Sequence, residues 1–234
     1  MNNLIHAVQH YGEGLQAVAK RGDRSDRREF LKIAGATLAL FGIASCSDDP
    51  TNPVPGTVTL TNDDFGILNF AYALEQLEAA FYTKVVDSFY SGGASDERTI
   101  MTDVRDDEKS HVAFFQAALG TKAIASLSVN FSAIDFSNRT KVLQTAYTFE
   151  DVGVSAYNGA AQFLSDVKFV GAAAEIVSVE ARHASVMRDL LNPKTAAFSD
   201  DLITPGGLDF ARKPSEILPL VKPYITTTIN SQLP

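Results

Sequence analysis

Two short stretches, Glu108-Lys109-Ser110-His111 and Glu180-Ala181-Arg182-His183, constrain this chain more than any other feature. Each is a Glu-x-x-His pair, and a spacing of three puts both side chains on one face of an α-helix. They hold the only histidines beyond residue 10. Two other stretches pair a glutamate with a tyrosine seven residues on, Glu75 with Tyr82 and Glu150 with Tyr157. The chain therefore repeats an order, a Glu-x6-Tyr segment and then a Glu-x-x-His segment, with Glu-to-Glu separations of 33 and 30 residues. Two metal ions inside a helical bundle call for such a set: bridging carboxylates, a terminal carboxylate and one imidazole each. The residues predicted to converge are Glu75, Glu108, His111, Glu150, Glu180 and His183. Taken singly, each glutamate would suit a solvated helix face. Val177, Ala184 and Met187 argue otherwise, because with them Glu180 interrupts a small, apolar stripe. Four interior carboxylates without a cation would be forced to protonate, so interior placement implies metal. Oxygen ligands with one nitrogen per ion suit iron or manganese better than copper.

Helical periodicity surrounds these residues. Phe65, Leu68, Phe70, Leu74, Leu77, Phe81 and Val85 form a broad stripe after the candidate N-caps Thr61, Asn62 and Asp63, and Ser91-Gly92-Gly93 ends it. A second helix is expected from Ser95 to Gly120, with Asp96 and Glu97 at the positive end of its dipole. A third is expected from Asn138 to Ser165 and a fourth from Phe169 to Leu191, before Asn192-Pro193. Thr121 to Ser137 shows no clear helical period and is long for a bundle connection. Two helices, a long connection and two more helices describe an all-α bundle, residues 62–192, with one long crossover. Residues 193–234 are rich in proline and are expected to form an irregular C-terminal wrap, docking Leu208, Phe210, Ile217, Leu218 and Tyr224.

Leu74-Glu75-Gln76-Leu77-Glu78-Ala79-Ala80-Phe81-Tyr82, Asp107 to His111, Phe149 to Tyr157 and Glu180 to His183 together resemble the bacterial ferritin-like domain family that includes desiccation-related proteins. The resemblance covers residues 62–192 and implies the ferritin-like fold and its metal-ligand pattern. It does not imply a reaction. Glu78 is an alternative ligand, three residues from Glu75, but its counterpart in the repeat is Gly153, which favours Glu75. Tyr82 and Tyr157 either bond to ligand carboxylates as an outer shell or pack in the core with a satisfied hydroxyl. Asp103, Asp106, Asp107 and Asp151 are expected at the surface, and Arg182 is expected to pair with Glu175 or Asp151.

The first 45 residues read as an address. Arg27-Arg28 followed by Phe30-Leu31-Lys32 and a mildly apolar run resembles a twin-arginine export signal, with Asp26 as a departure from its usual Ser or Thr. Ile43-Ala44-Ser45-Cys46 looks like a lipobox, in which Cys46, the only cysteine, would carry the lipid. Residues 46–61 are expected to be a flexible tether. His6 and His10 precede the signal and are assigned no site. Removing residues 1–45, with six basic and four acidic side chains, takes the formal charge from −8 to −10, which argues against a nucleic-acid partner. The expected partners are the translocation machinery and a membrane reached through the lipid anchor; homo-oligomerisation is compatible with the sequence. The expected place is the periplasm or cell envelope. The expected function is a di-iron or di-manganese oxidoreductase acting on oxygen or peroxide, with non-enzymatic metal sequestration or stress protection as the alternative.

Overall fold

The computed structural model describes residues 56–198 and 203–234. The expectations placed on Arg27, Arg28, Cys46, the two N-terminal histidines and the tether up to residue 55 lie outside the described residues. Four long helices carry the fold: α1 (Asp64–Asp87), α2 (Glu97–Leu119), α3 (Arg139–Ala160) and α4 (Val167–Leu191). Their starts follow local chemistry. The Asp63 carboxylate accepts the Gly66 N–H at 2.8 Å, and Asn138 Oδ1 accepts the Lys141 N–H at 3.2 Å.

One boundary differs from the sequence expectation. α3 stops at Ala160, a 3-10 turn covers Ala161–Phe163, and α4 begins at Val167. The cause is Asp64, at the first turn of α1, whose two oxygens accept the N–H groups of Ser165 and Asp166 at 2.9 and 2.8 Å. Asp166 then caps α4 through Lys168 N–H.

α1 packs along α2, and α3 along α4, with α1 against α3 completing an all-α four-helix bundle. α1 is buried on most sides, which explains the breadth of its apolar stripe: Phe70, Leu74, Leu77 and Phe81 are all at most 2% exposed. The long crossover between α2 and α3 returns along α1. Asn69 bonds both Lys122 O and Ile124 N–H, and Gln76 accepts Leu127 N–H, so two polar residues on α1 satisfy the backbone of a segment without regular structure. Phe131 and Phe136 then close edge-on and tilted against Phe81.

A short helix, α5 (Pro214–Val221), packs on α3 with Ile217 fully buried, and Tyr224 meets Phe149 edge-on at 4.8 Å. Leu208 and Phe210, expected to dock, are instead 70% and 39% exposed. Two strands absent from the expectation, β1 (Thr57–Leu60) and β2 (Thr228–Ser231), pair in parallel. The tether expected to reach residue 61 is therefore cut short: Thr-Val-Thr-Leu alternates, with Val58 and Leu60 buried.

Candidate metal centre

α1 and α3 run antiparallel, because Tyr82 donates to Glu150 while Tyr157 donates to Glu75. Each hydroxyl takes Oε1 of the opposite helix's glutamate, and this leaves Oε2 of each turned to the interior. Tyr82 and Tyr157 are thus both core residues, at 0% and 5% exposure, and outer-shell donors. α2 and α4 bring the two Glu-x-x-His pairs face to face, with His111 beside Glu180 and His183 beside Glu108.

Two groups of ligand atoms result, one of Glu75, Glu108, His111 and Glu180, the other of Glu108, Glu150, Glu180 and His183, each with all its atoms within 4.8 Å of one another. Glu108 and Glu180 belong to both. Their oxygens are divided between the halves. His111 Nδ1 lies 3.3 Å from Glu108 Oε2 and 2.9 Å from Glu180 Oε1, whereas His183 Nδ1 lies 2.8 Å from Glu108 Oε1 and 3.7 Å from Glu180 Oε2. Terminal contacts complete the set: His111 Nδ1 to Glu75 Oε2 at 3.1 Å and His183 Nδ1 to Glu150 Oε2 at 3.6 Å. All four glutamates are 0% exposed. The structure therefore brings together all six residues singled out by the repeat.

Whether these residues fit a pair of metals is decided by their unmet valences. Among the described residues, the buried side-chain atoms without a hydrogen-bond partner are Gln76 Nε2, Glu108 Oε1, Glu150 Oε2, both Glu180 oxygens and His183 Nδ1. All but the first point into this cluster. Folded proteins leave few such atoms, so their concentration at one place is a demand for cations. The donor set of carboxylate oxygens and one imidazole nitrogen per half suits iron or manganese.

The electrostatics of the side chains by themselves show the same demand. Burial, and then the charge of Glu180, push Glu75 well above the usual carboxylate range despite the hydrogen bond with His111. Burial pushes Glu78 up strongly, and Glu108, Glu180, Glu150 and Glu75 all add to it. Burial also raises Glu150, to about 8, against the pull of His183. Glu108 goes the other way: burial opposes its charge, but the hydrogen bond with His111 and the close approach of the His183 ring hold it down at about 2. Burial favours a neutral His111 ring, yet the surrounding carboxylates outweigh it and push the pKa up to about 12. His183 is raised for the same reason.

Three sequence expectations change at this site. Asp107, expected as a plain surface charge, is exposed but accepts from His183 Nε2 at 3.2 Å, which fixes the ring and leaves Nδ1 for the interior. Asp151 is 7% exposed and pairs with Arg188 at 2.8 Å, not with Arg182, which is exposed. Glu78 is 3% exposed rather than a simple rival of Glu75, and it belongs to neither four-residue group. The i,i+1 position of Asp107 relative to a ligand carried no periodic signal. Only the approach of His183 in the fold reveals its role.

A family model described as a ferritin-like domain matches residues 63–193. No curated protein matches the chain.

Proposed function

This chain belongs to the ferritin-like domain family, and on that premise we propose that it is an exported two-metal oxidoreductase that holds iron or manganese and acts on oxygen or peroxide. The observation that carries the reading is the sharing of Glu108 and Glu180 between two four-residue groups. Glu75 and His111 would hold one ion and Glu150 and His183 the other. Metals so held would supply redox chemistry toward oxygen or peroxide. The chain's own residues do the rest. Tyr82 and Tyr157 clamp the terminal carboxylates so that one oxygen of each is presented inward. Asp107 orients His183. The apolar side chains of the bundle exclude water from carboxylates that are fully buried. An apolar cleft lined in part by Leu68, Ala71, Phe115, Ala160 and Ala173 reaches Leu74 and Tyr157, next to Glu75, and suits a small apolar species such as dioxygen.

Export through the twin-arginine route would deliver the bundle already folded and loaded, and Cys46 would tether it to the membrane of the cell envelope. Protein purified after native export is expected to carry about two metal ions per chain. Glu108→Ala and His183→Ala are expected to lose them. Consumption of oxygen or peroxide by the loaded wild type, absent in Glu108→Ala, supports turnover; a loaded protein inert to both leaves sequestration as the function. Metal-free wild type from cells supplied with iron and manganese would sink the reading. Cys46→Ala is expected to move the protein from the membrane fraction to the soluble one, and unchanged fractionation would count against the anchor.

A further inference from the structure

The two tyrosine bonds set a register between α1 and α3, in which Glu75 is level with Tyr157 and Tyr82 with Glu150. The midpoint falls between residues 78 and 79 on α1 and between 153 and 154 on α3, beside Glu78 and Gly153. These are counterparts in the sequence repeat, and the structure puts them face to face. A Cβ placed on Gly153 would come within 3.1 Å of Glu78 Oε1 and 3.8 Å of its Oε2. The site is thus two-fold in six residues and asymmetric in one place, where one helix has a carboxylate and the other has room for it.

Glu78 is 3% exposed. Burying a carboxylate is costly. Gly153 has its own cost, since glycine in a helix interior is less favourable than alanine. A purely structural position would call for neither residue. Glu78 lies along α1 between Glu75 and Tyr82, the partner of Glu150, and it feels the charges of Glu108, Glu180, Glu150 and Glu75. It stands outside the two tight groups.

We propose that Glu78 is a seventh ligand of the paired-metal site, offered from α1, and that Gly153 is the notch that admits it. The inference rests on the two-metal reading above. Five carboxylates rather than four bring one more negative charge to the pair, which favours ions of higher total charge and sets the second ion apart from the first.

The test adds Mn2+ to the metal-free full chain, with calorimetry for stoichiometry and electron paramagnetic resonance for coupling between the ions. Wild type is expected to take up two equivalents and give the signature of a coupled pair. Glu78→Gln and Glu78→Ala are expected to bind the second equivalent roughly 10–100-fold more weakly and to show isolated ions. Gly153→Ala should weaken the second equivalent in the same direction without lowering the melting temperature of the metal-free protein, since alanine is the better helix former. Moving the carboxylate across the axis, in the Glu78→Gly/Gly153→Glu double variant, should restore coupling. A wild type that takes up no Mn2+ or Fe2+ overturns both readings. A wild type that takes up two equivalents, with Glu78→Gln and Glu78→Ala matching its affinity and coupling, overturns this one alone.

Discussion

Glu150, His111 and Glu108 set opposite pH responses within one cluster, and the sign of each follows from its shift. Glu150 rises from 4.5 to about 8, so the stability linked to its proton is complete below pH 4.5 and is lost as pH climbs through 8. His111 rises from 6.5 to about 12, and its contribution is complete below pH 6.5 and declines as pH rises toward 12. Glu108 falls from 4.5 to about 2, and its contribution is lost only as pH drops through that window. Between pH 6.5 and 8 the first two act together and the third is constant. The metal-free protein is therefore expected to melt at a lower temperature at pH 8 than at pH 6.5, with a smaller difference in Glu150→Gln. Metal affinity should rise over the same window, because binding expels these protons. A melting temperature that climbs with pH would contradict the assignment. All six residues of the buried cluster were legible in the sequence, because the Glu-x6-Tyr and Glu-x-x-His order occurs twice. Asp107 was not, since its partner His183 is 76 residues away and only packing joins them.

Helices were legible to the extent that their stripes and caps are local. Asp63 and Asn138 lie in the sequence where the structure uses them. The crossover was not, because Asn69 and Gln76 read as ordinary polar residues until their partners 53, 55 and 51 positions away arrive. Glu97 is a similar case. It reads as a first-turn acid suited to the helix dipole, and it is 1% exposed, held by Arg139, Tyr90 and the Ala94 N–H. The Arg139 guanidinium lies 2.6 Å from Glu97 and also donates to Leu190 O, so one side chain joins the start of α2, the start of α3 and the end of α4. Removing it strands a buried carboxylate. The 29% exposure of the Arg139 side chain lets water offset part of that loss, so Arg139→Ala is expected to cost about 2–3 kcal/mol rather than the full value for a buried pair. Urea unfolding measures it. Glu97→Gln in the Arg139→Ala background should recover part of the loss, and no recovery would mean that the charge is not the cause.

At the scale of the molecule, the C-terminal segment braces α3 beside the site. Arg212 N–H donates to Ser155 O at 2.9 Å, Tyr224 meets Phe149, and Ile217 is fully buried against the bundle. β2 then pairs with β1, so the segment entering α1 and the end of the chain hold one another. Proline content announced an irregular wrap, but not where it would touch. That point is set by Gly159, where a Cβ would stand 1.8 Å from Arg212 O. Backbone cannot yield there as a flexible side chain can. α3 thus carries two glycines with opposite reasons, six residues apart: Gly153 makes room for a carboxylate at the site, and Gly159 for the main chain of the wrap. The same substitution should separate them. Gly159→Ala is expected to destabilise by about 1–3 kcal/mol through overpacking, in spite of alanine's helix preference, while the folded protein keeps both metal equivalents. Gly153→Ala should leave the melting temperature intact and weaken the second metal. Thermal melts and metal titrations on the two variants check this together. If Gly159→Ala left the melting temperature unchanged, the contact between α3 and the wrap would not be the brace that the geometry describes.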